Sequence, residues 1–243
     1  MKKTILIATM AVVLVAPAIT WSQGDDQKTE LKIKLPKPLF VGTPTNLKSP
    51  ILDPSTGKAR KPFFVPKGAD TLLSLGKKVT SSDSAPVIGS LDQVTDGDKD
   101  GIDGCFVELS QGKQWVQIDL GEVCTMSAVV VWHYHSMARI YRDVVFQVAD
   151  DQDFITNVRT VYNSDNDNSL GLGVGQDYEY IETNEGRLID AKGVSARFVR
   201  LYCNGSSAGE MNHYIEVDVY GKKGKGDEKK VEAKADAPKP AAK

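Results

Sequence analysis

The 243-residue chain has only three cysteines, Cys105, Cys124 and Cys203, and three histidines, His133, His135 and His213. No C-x-x-C pair occurs, which argues against a zinc site or thiol redox chemistry, and at most one internal disulfide can form, with its pairing open. Neither G-x-S-x-G nor H-E-x-x-H is present, and no Glu or Asp is patterned with His133-x-His135, so the common hydrolase and metalloprotease signatures are missing. After the first 22 residues no stretch approaches the roughly 20 apolar residues of a membrane-spanning helix. Long amphipathic helical periods are also lacking. Acidic residues outnumber basic ones in the body: the formal net charge of −2 includes Lys2 and Lys3 at the start and a tail from Lys222 with eight Lys against four acidic residues, leaving Gly24–Gly221 at −8. A body this acidic disfavours nucleic acid, whose binding rests on Lys and Arg at phosphates. With no cluster of exposed aromatic and basic residues in the loops, a membrane surface is disfavoured too.

What is present divides the chain. Residues 1–22 have a basic start (Lys2, Lys3), an apolar run from Ile5 to Val15 and small residues at Ala16, Ala18 and Ser22, the pattern of an export signal. Location in the periplasm, at the cell surface or outside the cell is expected. Residues 23–69 carry seven prolines with lysines between them and read as an extended leader. Its Leu39, Phe40, Val41, Phe63, Phe64 and Val65 exceed the needs of a linker, so part of it is expected to lie on the folded domain as edge strands, where proline is tolerated. Residues 70–221 form one domain, and the tail 222–243, with one Val and no aromatic residue, is expected to be disordered.

Within the domain the apolar runs are short, β-branched and separated by turn residues. Strands are expected at Ser74–Thr80, Gln114–Asp119, Ser127–Tyr134, Asp143–Ala149, Arg159–Tyr162, Glu179–Glu182, Ala196–Cys203 and His213–Tyr220. This is an all-β pattern of antiparallel sheets packed as a sandwich. One connection, Asn163–Asp177, is long and rich in Asn, Asp and Gly. Between Val94 and Gly104 lies VTDGDKDGIDG, whose Asp96, Asp98, Asp100 and Asp103 place four carboxylates in eight residues with glycines between them. Oxygen ligands in a flexible loop suit Ca²⁺, and Asp and Gly are equally the residues of ordinary turns. The twelfth position is Val107 and the flanks are not helical, which excludes an EF-hand.

In chain order, LSLGKKVTSSDS, VTDGD, QWVQIDLGE, RDVVFQVADDQDF, ARFVRLYCNG and YIEVDVYG resemble the discoidin family, the coagulation factor 5/8 type C domains, which overlap with family 32 carbohydrate-binding modules. The resemblance covers nearly all of Leu73–Gly221. It implies a jelly-roll β-sandwich with galactose-binding-like topology, a ligand site on the loops at one end and a structural Ca²⁺ near it. Carried over by position, the calcium ligands are Asp96, Asp98, Asp103 and Glu216. Many members have Thr and Trp after the DG turn, where this chain has DGIDGCFVEL.

By the period of two, the strand around VVVWHYH puts His133 and His135 on one face and Trp132 and Tyr134 on the other, one pair expected in a core and the other accessible. The resemblance implies a sugar site in which a His and an Arg, Arg139 or Arg142, hydrogen-bond hydroxyls while an aromatic such as Tyr141 stacks on a pyranose. Asn204, Asn212 and His213 are further candidates. The function expected is non-catalytic binding of carbohydrate. The alternative is adhesion to another protein at the cell surface through the same loop end.

Overall fold

The structure, a computed structural model, describes residues 27–224. The expected export signal lies outside them, as does the tail beyond Gly224. The strands are β1 (Lys28–Glu30), β2 (Phe64–Pro66), β3 (Thr71–Leu72), β4 (Lys78–Ser81), β5 (Val107–Leu109), β6 (Gln114–Trp132), β7 (Val145–Ala149), β8 (Arg159–Asn163), β9 (Arg187–Cys203), β10 (Asn212–Tyr214) and β11 (Glu216–Lys223), with one 3₁₀ turn at Leu91–Thr95. Every pairing between these strands is antiparallel.

Two strands expected as separate, Gln114–Asp119 and Ser127–Tyr134, are one strand of 19 residues. Its register against β9 breaks between Asp119 and Cys124, where Gly121 takes a φ of 87° that a side chain would resist. Ahead of the break β6 pairs with β4 and with the end of β9, which continues to β7 and β8; beyond it β6 pairs with β11 and the start of β9, and β3 closes the edge. The two halves form the layers of a jelly-roll sandwich. Val116, Ile118, Val199, Leu201, Phe146 and Val148 from one half share a single core with Val129, Val131, Val217 and Val219 from the other. Glu179–Glu182 is no strand, and its β-type pairings are isolated bridges, Leu52 to Glu179 and Ile140 to Ile181.

The run Ala128–Trp132 is apolar at every position because both of its faces are covered. Val129 and Val131 face the sandwich core. Ala128, Val130 and Trp132 pack with Leu31 and Val65 of the leader, together with Phe106, Ile215 and Tyr220. Here β1 and β2 pair with each other, Thr29 opposite Val65, and lie on the outer face of the second layer. Further along, Asn184 Nδ2 donates to the Pro36 carbonyl (2.9 Å) and Arg187 Nη1 to Asp53 Oδ2 (2.7 Å). Residues 27–69 are thus part of the packed structure, more fully than edge strands alone imply.

Candidate functional site

The short sheet of β5 and β10 sets His213 directly opposite Glu108. His213 Nε2 lies 2.8 Å from Glu108 Oε2, and its Nδ1 lies 2.9 Å from the Tyr141 hydroxyl. Because the carboxylate only accepts, Nε2 carries the proton and the tyrosine donates to Nδ1. Desolvation holds His213 below the usual imidazole value despite the pull of Glu108, and burial keeps the Tyr141 hydroxyl well above its usual value. The ring of Tyr141 stacks on His133 (centroids 4.3 Å, 20°), whose Nδ1 donates to Glu182 Oε1 at 2.6 Å. Two His–Glu pairs therefore flank one tyrosine. The inner pair is fully buried, whereas the outer pair keeps side-chain exposures of 12% for His213 and 17% for Glu108.

Around the outer pair stand Tyr134, with the Arg139 guanidinium 4.6 Å from its ring centroid, and Phe106, which meets Tyr134 edge-on at 5.0 Å and His213 at 5.5 Å. Fixed donors and acceptors beside aromatic edges are the elements with which proteins orient polyhydroxylated ligands.

Of the eight ligand candidates, the structure brings Arg139 and His213 into this partly open cluster. His133 and His135 are both fully buried, with no surface open to a ligand. His133 is enclosed by Tyr141 and Tyr214, and His135 by the loop at Lys99 and Gly101. His135 Nε2 donates to the Lys99 carbonyl at 3.0 Å. Tyr141 is 1% exposed, its ring stacked on His133. Asn212, also buried, staples loops: its Nδ2 donates to the carbonyls of Ser110 and Gly112, and its Oδ1 accepts from Gly205 N–H. Asn204 donates to Asp143 Oδ2 (2.9 Å), and exposed Arg142 lies 3.6 Å from Glu210. Glu108, Tyr134 and Phe106 were missed. Period two puts Phe106 and Glu108 on one face, but nothing local announces that His213 pairs opposite.

The acidic loop is joined to the last strand, as its resemblance implied: Gly97 N–H donates to Glu216 Oε2 at 3.1 Å. The expected ligands do not converge, however. Asp96, Asp98 and Asp103 are exposed while Glu216 is fully buried, and Asp96 Oδ1 and Asp98 Oδ1 cap the N–H groups of Asp98 and Asp100. Beside Glu216 lies Asp218, equally buried, and against it the Lys99 ammonium, 3.3 Å from Asp218 Oδ1. As arranged, these residues do not fit a Ca²⁺ ion, because the cation beside the buried acids is already a side chain. Among the described residues, the acidic or His/Cys side chains with mutual ligand spacing are Asp143, Asp165 and Asp167. Those carboxylates accept from Ser169 and Leu170 within the Asn163–Asp177 region and from Asn204. Cys105, Cys124 and Cys203 are all free.

Burial first, and then neighbouring Asp218, push the Glu216 carboxyl up to about 9, against the pull of Lys99. Folded protein consequently retains a proton that unfolded chain releases above about 4.5. The associated stability is complete below that value and is lost as pH rises towards 9, with a slope of at most about 1.4 kcal/mol per pH unit. Glu216→Gln is expected to flatten this slope in urea titrations run across the range. An unchanged slope in the variant would assign it to other groups.

A cleft of about 730 Å³ separates residues 38–63 from residues 180–188. Four of its charged side chains are engaged in pairs, Arg187 with Asp53 and Arg60 with Glu185. No helix of the described residues is long and apolar enough to cross a membrane.

Residues 93–201 match a family model of the F5/F8 type C group, described as a NedA-like, galactose-binding domain. The match covers less than half of the chain, and over it the sandwich is similar to the F5/F8 type C domains. Solved structures similar to this chain include three carbohydrate-active proteins. One is a family 89 glycoside hydrolase from Clostridium perfringens (18% identity, TM-score 0.46, 63% of this chain and 15% of that chain). Another is the CBM32 of AlyQ in complex with 4,5-unsaturated mannuronic acid (19%, 0.43, 58% and 92%). The third is the fucose binding module SpX-3 of Streptococcus pneumoniae (16%, 0.44, 63% and 99%). The chain thus spans about a seventh of the hydrolase, 15% of its length. No curated protein matches it. In this sandwich, the Glu108–His213 cluster is built by β5, β10 and the segment after β6, outside the bulk of the two layers.

Proposed function

We propose that this sandwich is a domain of the F5/F8 type C group and acts as an exported, non-catalytic carbohydrate-binding module whose ligand contacts Glu108, His213, Arg139 and Tyr134. The observation that carries the reading is the cross-strand Glu108–His213 pair, partly open and set against the edges of Phe106 and Tyr134. Both His213 nitrogens are already bonded, so the imidazole fixes the Glu108 carboxylate at 2.8 Å and leaves its other oxygen as an acceptor for a sugar hydroxyl. The description of the family model as galactose-binding supports the ligand class. Non-catalytic action is supported by the carboxyls themselves. Glu108 is engaged by His213 and Glu182 is sealed from solvent, so they are not arranged as the two open carboxyls that glycoside hydrolysis uses. Export is supported by the sequence of residues 1–22.

His213→Ala is expected to weaken glycan binding about 10-fold or more, because Glu108 loses the hydrogen bond that orients its carboxylate. The check is calorimetric titration of a glycan selected on an array. Unchanged affinity in the folded variant would place the ligand elsewhere. Retained adhesion to a protein, with no glycan bound by the wild type, would favour the adhesion reading.

A further inference from the structure

Glu216 and Asp218 are fully buried on one face of β11, the face opposite core residues Val217 and Val219. Two adjacent buried acids require a compensating charge or proton. The loop 96–101 lies over them, and Lys99 turns its side chain inward, 11% exposed. Its ammonium stands 3.3 Å from Asp218 Oδ1, 3.4 Å from the Gly97 carbonyl and 5.2 Å from the ring centroid of Trp132. The backbone holds it there from both sides: the Lys99 carbonyl accepts from His135 Nε2 and the Gly101 carbonyl from Ser136 Oγ.

We propose that Lys99 supplies the cation of this loop, clasping it to the last strand in place of a bound divalent ion, so that the domain's stability is independent of calcium. Lysine is rarely buried unless paired, and here a carboxylate, a carbonyl oxygen and an aromatic face all meet one ammonium. That ammonium repels a second cation from Asp218 at short range and low dielectric. The loop offers little in compensation, since Asp96 and Asp98 each spend an oxygen on their own backbone. Position 101 has no room for a ligating side chain, because a Cβ there would fall 2.7 Å from the His135 ring.

The test is thermal unfolding of the full chain in excess calcium chloride and in EDTA, with calcium titrated by calorimetry. The wild-type midpoint is expected to agree within about 1 °C between the two, with no saturable heat, whereas Lys99→Met lowers it in EDTA by roughly 5–15 °C. Lys99→Met/Asp218→Asn is expected to melt above Lys99→Met alone, because the buried charge without a partner is gone. A midpoint raised several degrees by calcium, saturable calcium binding by the wild type, or a Lys99→Met variant that melts with the wild type in EDTA would each overturn the proposal. Should Lys99→Met fail to fold, the wild-type calcium response decides alone.

Discussion

Val65→Asp is expected to cost about 4 kcal/mol or more of folding stability, although Val65 lies in a proline-rich segment whose composition reads as a leader. The side chain is 1% exposed and packs in the cluster that holds Leu31, Ala128, Val130, Trp132 and Ile215. Removing it forfeits roughly 2 kcal/mol of apolar burial, and an aspartate in its place has no cationic partner in that cluster. Urea denaturation with tryptophan emission reads the change, since Trp132 lies in the same cluster. Val41→Asp is the control: that residue is 99% exposed, and its substitution is expected to move stability by less than about 0.5 kcal/mol. Equal stability in both variants would mean that residues 27–69 are a tether and the second layer needs no cover.

A loss of similar size, about 3–5 kcal/mol, is expected for Glu182→Ala. The carboxylate accepts the His133 Nδ1 proton at 2.6 Å with both side chains fully buried, and His133 carries the stack with Tyr141. Truncation leaves a buried imidazole donor without an acceptor and a void beside it. Glu182→Gln keeps an acceptor in place and should lose less than half as much. The pair of variants separates the hydrogen bond from the packing. If Glu182→Ala is as stable as Glu182→Gln, the His133 pair contributes little and the stack alone holds that end.

Much of the fold was legible because it is written locally. Alternation in Gln114–Asp119, the β-branched run Ala128–Trp132 and the turn residues between them mark strands whichever partners they find. Partners themselves are not written locally. Glu108 and His213 lie 105 positions apart, and only the register of β5 on β10 makes them a pair. For the same reason the two histidines of His133-x-His135 were expected to share a face open to ligand if Trp132 and Tyr134 faced a core. The leader covers the Trp132 face, Tyr141 and Tyr214 enclose His133, and the loop at Lys99 and Gly101 covers His135, so both histidines are buried. In the acidic loop the carboxylates are conspicuous in the sequence, yet the residue that reaches the buried acids is Lys99 between them.

The central claim is that a glycan sits on Glu108 and His213, and a single comparison tests it most directly: titration of galactose-terminated oligosaccharides into the wild type and into Glu108→Gln, with the melting temperature of each recorded. The predicted result is saturable binding by the wild type and a loss of about 10-fold or more in the variant at matched stability. Equal binding by the two proteins, or no glycan bound by a folded wild type, would contradict it.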